Sequence, residues 1–216
     1  GAQPTSKTQK GLFTVSKSGT DWFFEIPDSL IGRKFLVTVR YTSTPGGTQK
    51  YGGELVNQQT VYWQVAPDNK LMLRSELLIN TADSTDAINK AILVSNENPI
   101  IGAFKIESHK KGMYKIKVTQ FFNEDNPAIG LRASTKTQMG CQALLSALSY
   151  IEDIKTFPLN TEIRTVKTWM SSRGTIAAAY IPVALVVFAE HIADHKNISS
   201  IIGRDLLEDP GLDKTL

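Results

Sequence analysis

The chain has 216 residues, with 24 Lys and Arg against 21 Asp and Glu, 41% hydrophobic residues and 21% charged. That composition is globular and long enough to bury a core, which excludes a disordered or fibrous chain. The basic residues are spread along the sequence apart from Lys110, Lys111, Lys115 and Lys117, so the concentrated basic patch that nucleic acid requires is missing and no nucleic-acid partner is expected.

Residues 1–10 read as a disordered lead, and Gly1 in place of Met reads as a tag remnant. Strands are predicted over 11–16 and 20–26, joined by a turn at Ser18-Gly19. Trp22, Phe24 and Ile26 share one face of the second, and Pro27-Asp28 stops it. The strand at 34–42 sets Phe35, Val37, Val39 and Tyr41 against Leu36, Thr38 and Arg40. The Gly46-Gly47 and Gly52-Gly53 pairs lack the Lys-Ser/Thr ending of a phosphate-binding loop and read as a flexible hairpin or lid.

The clearest hairpin pairs 59–66 with 70–79 across Pro67-Asp68-Asn69. A helix is predicted from Asp83 or Ser84 to about Val94, with Ala87, Ile88, Ala91 and Ile92 as its apolar stripe. Strands near 100–107 and 113–120 turn at Lys110-Lys111-Gly112. Residues 121–140 read as a long loop with at most one helical turn. A helix is predicted near 141–155 on the spacing of Leu144, Leu145, Leu148 and Ile151. In the strand at 160–170, Ile163, Thr165, Lys167 and Trp169 alternate with Glu162, Arg164, Val166 and Thr168. The apolar stretch around 176–189 suits strand or helix; it contains Pro182 and is shorter than the roughly 20 apolar residues of a membrane-spanning helix. Short helices are predicted over 191–197 and 199–208.

The fold class expected is therefore α+β: a mostly antiparallel β-sheet built from hairpins, with about two to four helices, the last ones at the C-terminus. The expected division is a lead at 1–10, a β-rich domain at 11–170 and a C-terminal extension packed on it at 171–216.

Candidate chemistry is sparse. Cys141 is the single cysteine, so no internal disulfide or multi-cysteine zinc site exists, and its neighbours Ala143, Leu144 and Leu145 mark it as a small buried hydrophobe. His191 and His195, four apart with Glu190 and Asp194 beside them, are the best metal candidates. Yet the residue after His191 is Ile192, so the Glu that serves as general base in an H-E-x-x-H helix is absent. A solvated helix face is the preferred reading there. His109, beside Lys110 and Lys111, reads as an exposed turn residue. Asn123-Glu124-Asp125-Asn126 lacks the order of a calcium loop and reads as a solvated loop. Trp22 and Trp63 read as core. Trp169, whose face also carries Thr165 and Lys167, is the candidate for a sugar- or peptide-binding surface. No catalytic residue and no cofactor are expected. A hydrolase relying on Asp and Glu alone is a further reading that one sequence does not test.

Several stretches are familiar in order. Gly11-Leu12-Phe13-Thr14-Val15 leads to Phe24-Glu25-Ile26-Pro27-Asp28-Ser29-Leu30-Ile31-Gly32-Arg33. Tyr51-Gly52-Gly53-Glu54, Val56-Asn57 and Trp63 follow. Then come Leu73-Arg74-Ser75, Asn96-Glu97-Asn98-Pro99-Ile100-Ile101, Phe121-Phe122, and Phe157-Pro158 with Glu162 and Arg164. Over roughly 11–170 this resembles the domain of unknown function that precedes the catalytic domain in large, exported bacterial zinc-dependent metallopeptidases. The resemblance implies a non-catalytic accessory module that is periplasmic, cell-surface or secreted, partnered by a downstream peptidase domain or another protein. In that family the H-E-x-x-H helix lies in a separate, later domain, so no catalytic or metal residue carries over to this chain. After about residue 170 the likeness stops. A cut fragment is the expected reading, with a shortened relative as the other. The alternative function is a free-standing cell-surface binding module for a glycan or peptide.

Overall fold

A computed structural model describes residues 7–46, 48–76, 97–171 and 174–186, the last segment by its backbone from 175 onward. Strands alternate with turns as the two-residue periodicity requires. They are β1 (Lys7–Gln9), β2 (Thr14–Ser18), β3 (Asp21–Pro27), β4 (Lys34–Ser43), β5 (Leu55–Ala66), β6 (Lys70–Ser75), β7 (Ile100–Lys110), β8 (Met113–Lys117), β9 (Tyr150–Thr156), β10 (Asn160–Ser171) and β11 (Gly174–Val186). Two short helices, α1 (Thr119–Asn123) and α2 (Ala133–Met139), lie between β8 and β9. The described strands form one antiparallel sheet in the order β1-β2-β3-β8-β7-β6-β5-β4-β11-β10-β9.

The turns follow local chemistry. Lys110 pairs with Met113 across Lys111 and Gly112, both in the left-handed region at φ 52° and 71°. That geometry matches the twist of a two-residue hairpin, and glycine adopts it without steric cost. Ala66 pairs with Lys70 across Pro67-Asp68-Asn69, as predicted.

The sheet rolls until its two ends meet. Gln9 on β1 donates from Nε2 to the Thr156 carbonyl of β9 at 3.1 Å. Leu12 N–H donates to the Phe157 carbonyl at 2.6 Å, and Thr156 Oγ1 donates to the Phe13 carbonyl at 3.0 Å. Gly11 makes this seam possible: a Cβ there would stand 2.5 Å from Thr156 Oγ1 and 2.7 Å from the Phe157 carbonyl.

Inside the rolled sheet the predicted apolar faces converge. Trp22, Phe24 and Ile26 are buried, as are Phe35, Val37, Val39 and Tyr41, and Val61 with Trp63. Six rings close a circuit through the core. Successive centroids from Phe13 to Phe24, Phe122, Phe121, Phe104, Trp63 and back to Phe13 are separated by 5.3, 5.9, 5.1, 5.1, 5.5 and 6.4 Å. Tilted and edge-on contacts at such spacing are worth about 0.5–1.5 kcal/mol each beyond area burial. The circuit lines a cavity of about 40 Å³. On the opposite face Leu36 and Thr38 of β4 and Glu162 and Thr168 of β10 are buried too, so these strands are covered on both sides.

The structure corrects several sequence expectations. Residues 7–9 of the expected disordered lead pair with β2. The strand predicted to 120 ends at Lys117, and the expected loop at 121–140 carries α1 from Thr119 and then α2. The helix predicted near 141–155 is absent: a 3-10 turn at Ser146–Leu148 leads into β9. Thr165 pairs with Ile151 but Arg164 with Asp153, so Glu152 is an extra residue in the ladder. That bulge puts Ile151 and Ile154, three apart, on the same buried side.

The ambiguous stretch at 176–189 is strand as far as Val186, inside the sheet between β4 and β10. The sheet therefore includes residues assigned by sequence to a C-terminal extension beginning at 171. Pro182 is tolerated because the β10–β11 ladder runs to Glu162 with Val183 and resumes at Thr165 with Tyr180, skipping the proline that has no N–H to give. The helices predicted over 83–94, 191–197 and 199–208 lie outside the described residues, and so does the expectation of helices at the C-terminus.

Two substitutions test this architecture. Val39 is fully buried, so Val39→Asp leaves an unpaired charge in the core and is expected to lower unfolding free energy by about 3–5 kcal/mol in urea denaturation. Gly11→Ala is expected to cost about 1–3 kcal/mol by forcing the seam apart, read as a lowered melting temperature.

Candidate functional site

Residues 119–139, between β8 and β9, enter the rolled sheet as a plug. Phe122, Ile129, Leu131 and Met139 are buried, and Phe121 packs against them. Polar ties from four different strands hold the segment. Thr119 Oγ1 accepts from the Trp22 N–H of β3 at 2.7 Å. Asn57 of β5 donates from Nδ2 to the Pro127 carbonyl at 2.8 Å and the Gly130 carbonyl at 3.2 Å. Asn126 Nδ2 donates to the Ile101 carbonyl of β7 at 2.7 Å. From β10, Lys167 Nζ donates to the Phe122 carbonyl and to the Glu124 carbonyl at 2.9 Å.

Lys167 is the chemically unusual group here. It is 1% exposed and its partners are backbone carbonyls at the end of α1. Burial drives its pKa down from 10.5 to about 8, opposed by the negative charges of Asp125 and Glu124. Asp125 is itself engaged by Lys136 of α2.

Cys141 follows directly. Gly140 ends α2 in the left-handed conformation, and the Cys141 N–H donates to the Lys136 carbonyl at 2.8 Å. Burial raises the thiol pKa above 9.0, with Lys136 lowering it and Asp125 raising it. The thiol is thus held protonated, the reverse of an activated nucleophile. Tyr41 of β4 donates to Met139 Sδ at 3.6 Å. Its pKa is pushed up to about 12 by burial and then by Glu54 and Cys141.

The residues singled out from sequence fall elsewhere. Trp169 is fully buried, so it offers no surface to a sugar or peptide; its place is in the core, in line with Ile163. His109 lies within β7 rather than at a turn. It is half-exposed, 2.8 Å from Asp28 Oδ1 and stacked on Tyr114 at 3.9 Å. The Asn123–Asn126 run is not a solvated loop, because Lys167, Lys136 and the Ile101 carbonyl bind it into the plug. His191 and His195 lie outside the described residues. Among the described residues no three His, Cys, Asp or Glu side chains converge as metal ligands.

Sequence reasoning passed over Lys167 although the signal was present. Its parity with Ile163 and Trp169 places it on the buried face of β10, where a lysine needs oxygen partners. Asn57 keeps the parity of Val61 and Trp63 and pairs with buried Val39, the ladder shifting only beyond it, but it lies outside the strand predicted from 59.

Residues 53–191 match the family described as a domain of unknown function, DUF5117. The chain belongs to that family. Residues 3–44 match a second domain of unknown function, DUF5118. The boundary falls in the β4–β5 hairpin, yet β4 from the first region lies between β5 and β11 of the second, so the two regions build one sheet. A uracil permease from Paenibacillus larvae subsp. larvae is 41% identical over 68 residues, which is 32% of this chain and 15% of that protein. The chain thus spans a small part of the permease's length. No solved structure matches the chain. Among the described residues no helix is long and apolar enough to cross a membrane.

Burial of Lys167 sets a pH dependence. Its pKa is about 8 in the folded chain and 10.5 in the reference state. Between those values the unfolded chain binds more protons, so stability rises with pH, and the cost of the buried charge is fully present below about pH 8. Cys141 and Tyr41, with raised pKa values, act oppositely at higher pH, so the comparison is made against Lys167→Met. From pH 7.5 to 10 the unfolding free energy of the natural chain is expected to gain about 2 kcal/mol relative to that variant in urea denaturation.

Proposed function

We propose that this chain is a non-catalytic accessory module of the kind that precedes the peptidase domain in exported zinc-dependent metallopeptidases. It would act at or beyond the cell envelope, with a peptidase domain or another protein as its partner. The observation that carries the reading is the filling of the interior by the chain's own plug. The core space that could receive a substrate holds Phe121, Phe122 and Leu131, and the buried amine of Lys167 is engaged by plug carbonyls. Cys141, with its raised pKa, is ill-suited to attack a carbonyl at neutral pH. The ordered sequence likeness over roughly 11–170 supplies the peptidase context.

A zinc and protease assay tests the proposal. After dialysis the purified chain is expected to retain no stoichiometric zinc by atomic emission and to leave unfolded casein uncut. One equivalent of retained zinc that is lost in His191→Ala, or cleavage abolished by that change, overturns the non-catalytic assignment.

A further inference from the structure

We propose that residues 119–139 form a releasable plug, whose opening from the rolled sheet is coupled to proton uptake by Lys167 while the sheet stays folded. The geometry sets this coupling. Lys167 belongs to the wall, on β10, yet both carbonyls that its Nζ bonds, those of Phe122 and Glu124, belong to the plug. The amine therefore reaches water when the plug leaves, without any strand separating. The seam that closes the sheet, Gln9 with Thr156 and Leu12 with Phe157, uses no plug residue. The remaining polar ties, at Thr119, Asn57, Asn126 and from Tyr41 to Met139, are neutral hydrogen bonds. The segment is bounded by the end of β8 at Lys117 and by Gly140 at φ 70°, where glycine permits a change of direction.

The charged groups around the amine are Glu124 and Asp125 from the stretch after α1, with Lys136 of α2 bound to Asp125. On the neighbouring strand β11 its cross-strand partner is Ala178, and Ser149, bonded to the adjacent Thr168, carries no charge. The carboxylates only partly offset desolvation, so the closed form holds the proton less tightly than water does, with a pKa of about 8 against 10.5. Opening restores hydration. Between these values the open form binds the extra proton, and the plug opens most readily at and below about pH 8.

Native-state proteolysis by subtilisin between pH 8.5 and 10, normalised at each pH to an unstructured peptide, reads this equilibrium because cleavage requires local opening. Cuts are expected to fall within 119–139, and their rate to drop as pH rises, approaching tenfold per pH unit. Lys167→Met is expected to lose that fall, leaving only the opposite trend set by Cys141 and Tyr41, whose raised pKa values favour opening as they ionise. Lys167→Arg, which stays charged throughout, is expected to do the same and serves if the methionine variant does not fold. A flat profile for the natural chain overturns the proposal, as does an equal slope in the folded variants. So do cuts scattered through the strands, which would mean that global unfolding exposes the lysine.

Discussion

Closing a sheet on itself leaves an interior that must be filled, and here the filling is an aromatic circuit to which the sheet contributes only part. Phe13, Phe24, Trp63 and Phe104 come from the strands or the segment leading into them. Phe121 and Phe122 come from α1, and without them the ring contacts run in an open arc. The strand ends meet at Gly11 and Thr156 because nothing larger than hydrogen fits there. Plug and seam are thus complementary constraints. The seam fixes how far the sheet curls, and the plug supplies the volume that this curvature leaves open.

The same closure explains why two family regions make one fold. Residues 3–44 supply β1 to β4, but β3 pairs with β8 and β4 pairs with both β5 and β11. A fragment ending near residue 44 would leave the hydrogen-bonding edges of β3 and β4 unpaired and four of the six rings of the aromatic circuit missing. The pairing of β4 with β11 and the seam between β1 and β9 join positions more than a hundred residues apart in sequence, so loop closure must precede much of the stabilising contact. That is the topology of a slow-folding domain. The shape of this framework is set by its own strands and plug.

Much of this framework was legible in alternation alone. The faces carrying Trp22, Phe24 and Ile26, and Phe35, Val37 and Val39, are buried as their spacing requires. The hairpin turns at Pro67-Asp68-Asn69 and Lys110-Lys111-Gly112 have left-handed residues where their chemistry favours them. What misled was spacing that crosses element boundaries: Leu144, Leu145, Leu148 and Ile151 are placed as on one helix, yet they straddle a 3-10 turn and the start of β9. The stretch around Pro182 suited strand or helix, and the gap in its pairing with β10 lets it stand in a central strand. The plug was illegible for another reason. Its helices are five and seven residues long, too short to show a period, and its shape is dictated by strands far away in sequence.

The placement of a lysine at 167 is the costliest choice in the interior, and α1 explains it. A helix of five residues leaves its last carbonyls without intrahelical donors, and the Phe122 and Glu124 carbonyls face Lys167 of β10. An apolar side chain at 167 would spare the desolvation of an ammonium but strand those two acceptors. A shorter amide carried by the same backbone could not span the distance that the four-carbon stem covers. A cation at the C-terminal end of a helix is also favoured by the local dipole. Lysine therefore trades a lowered affinity for its proton against two satisfied carbonyls. Hydration of that one amine therefore bears on the plug, whose carbonyls it bonds, before it bears on the sheet.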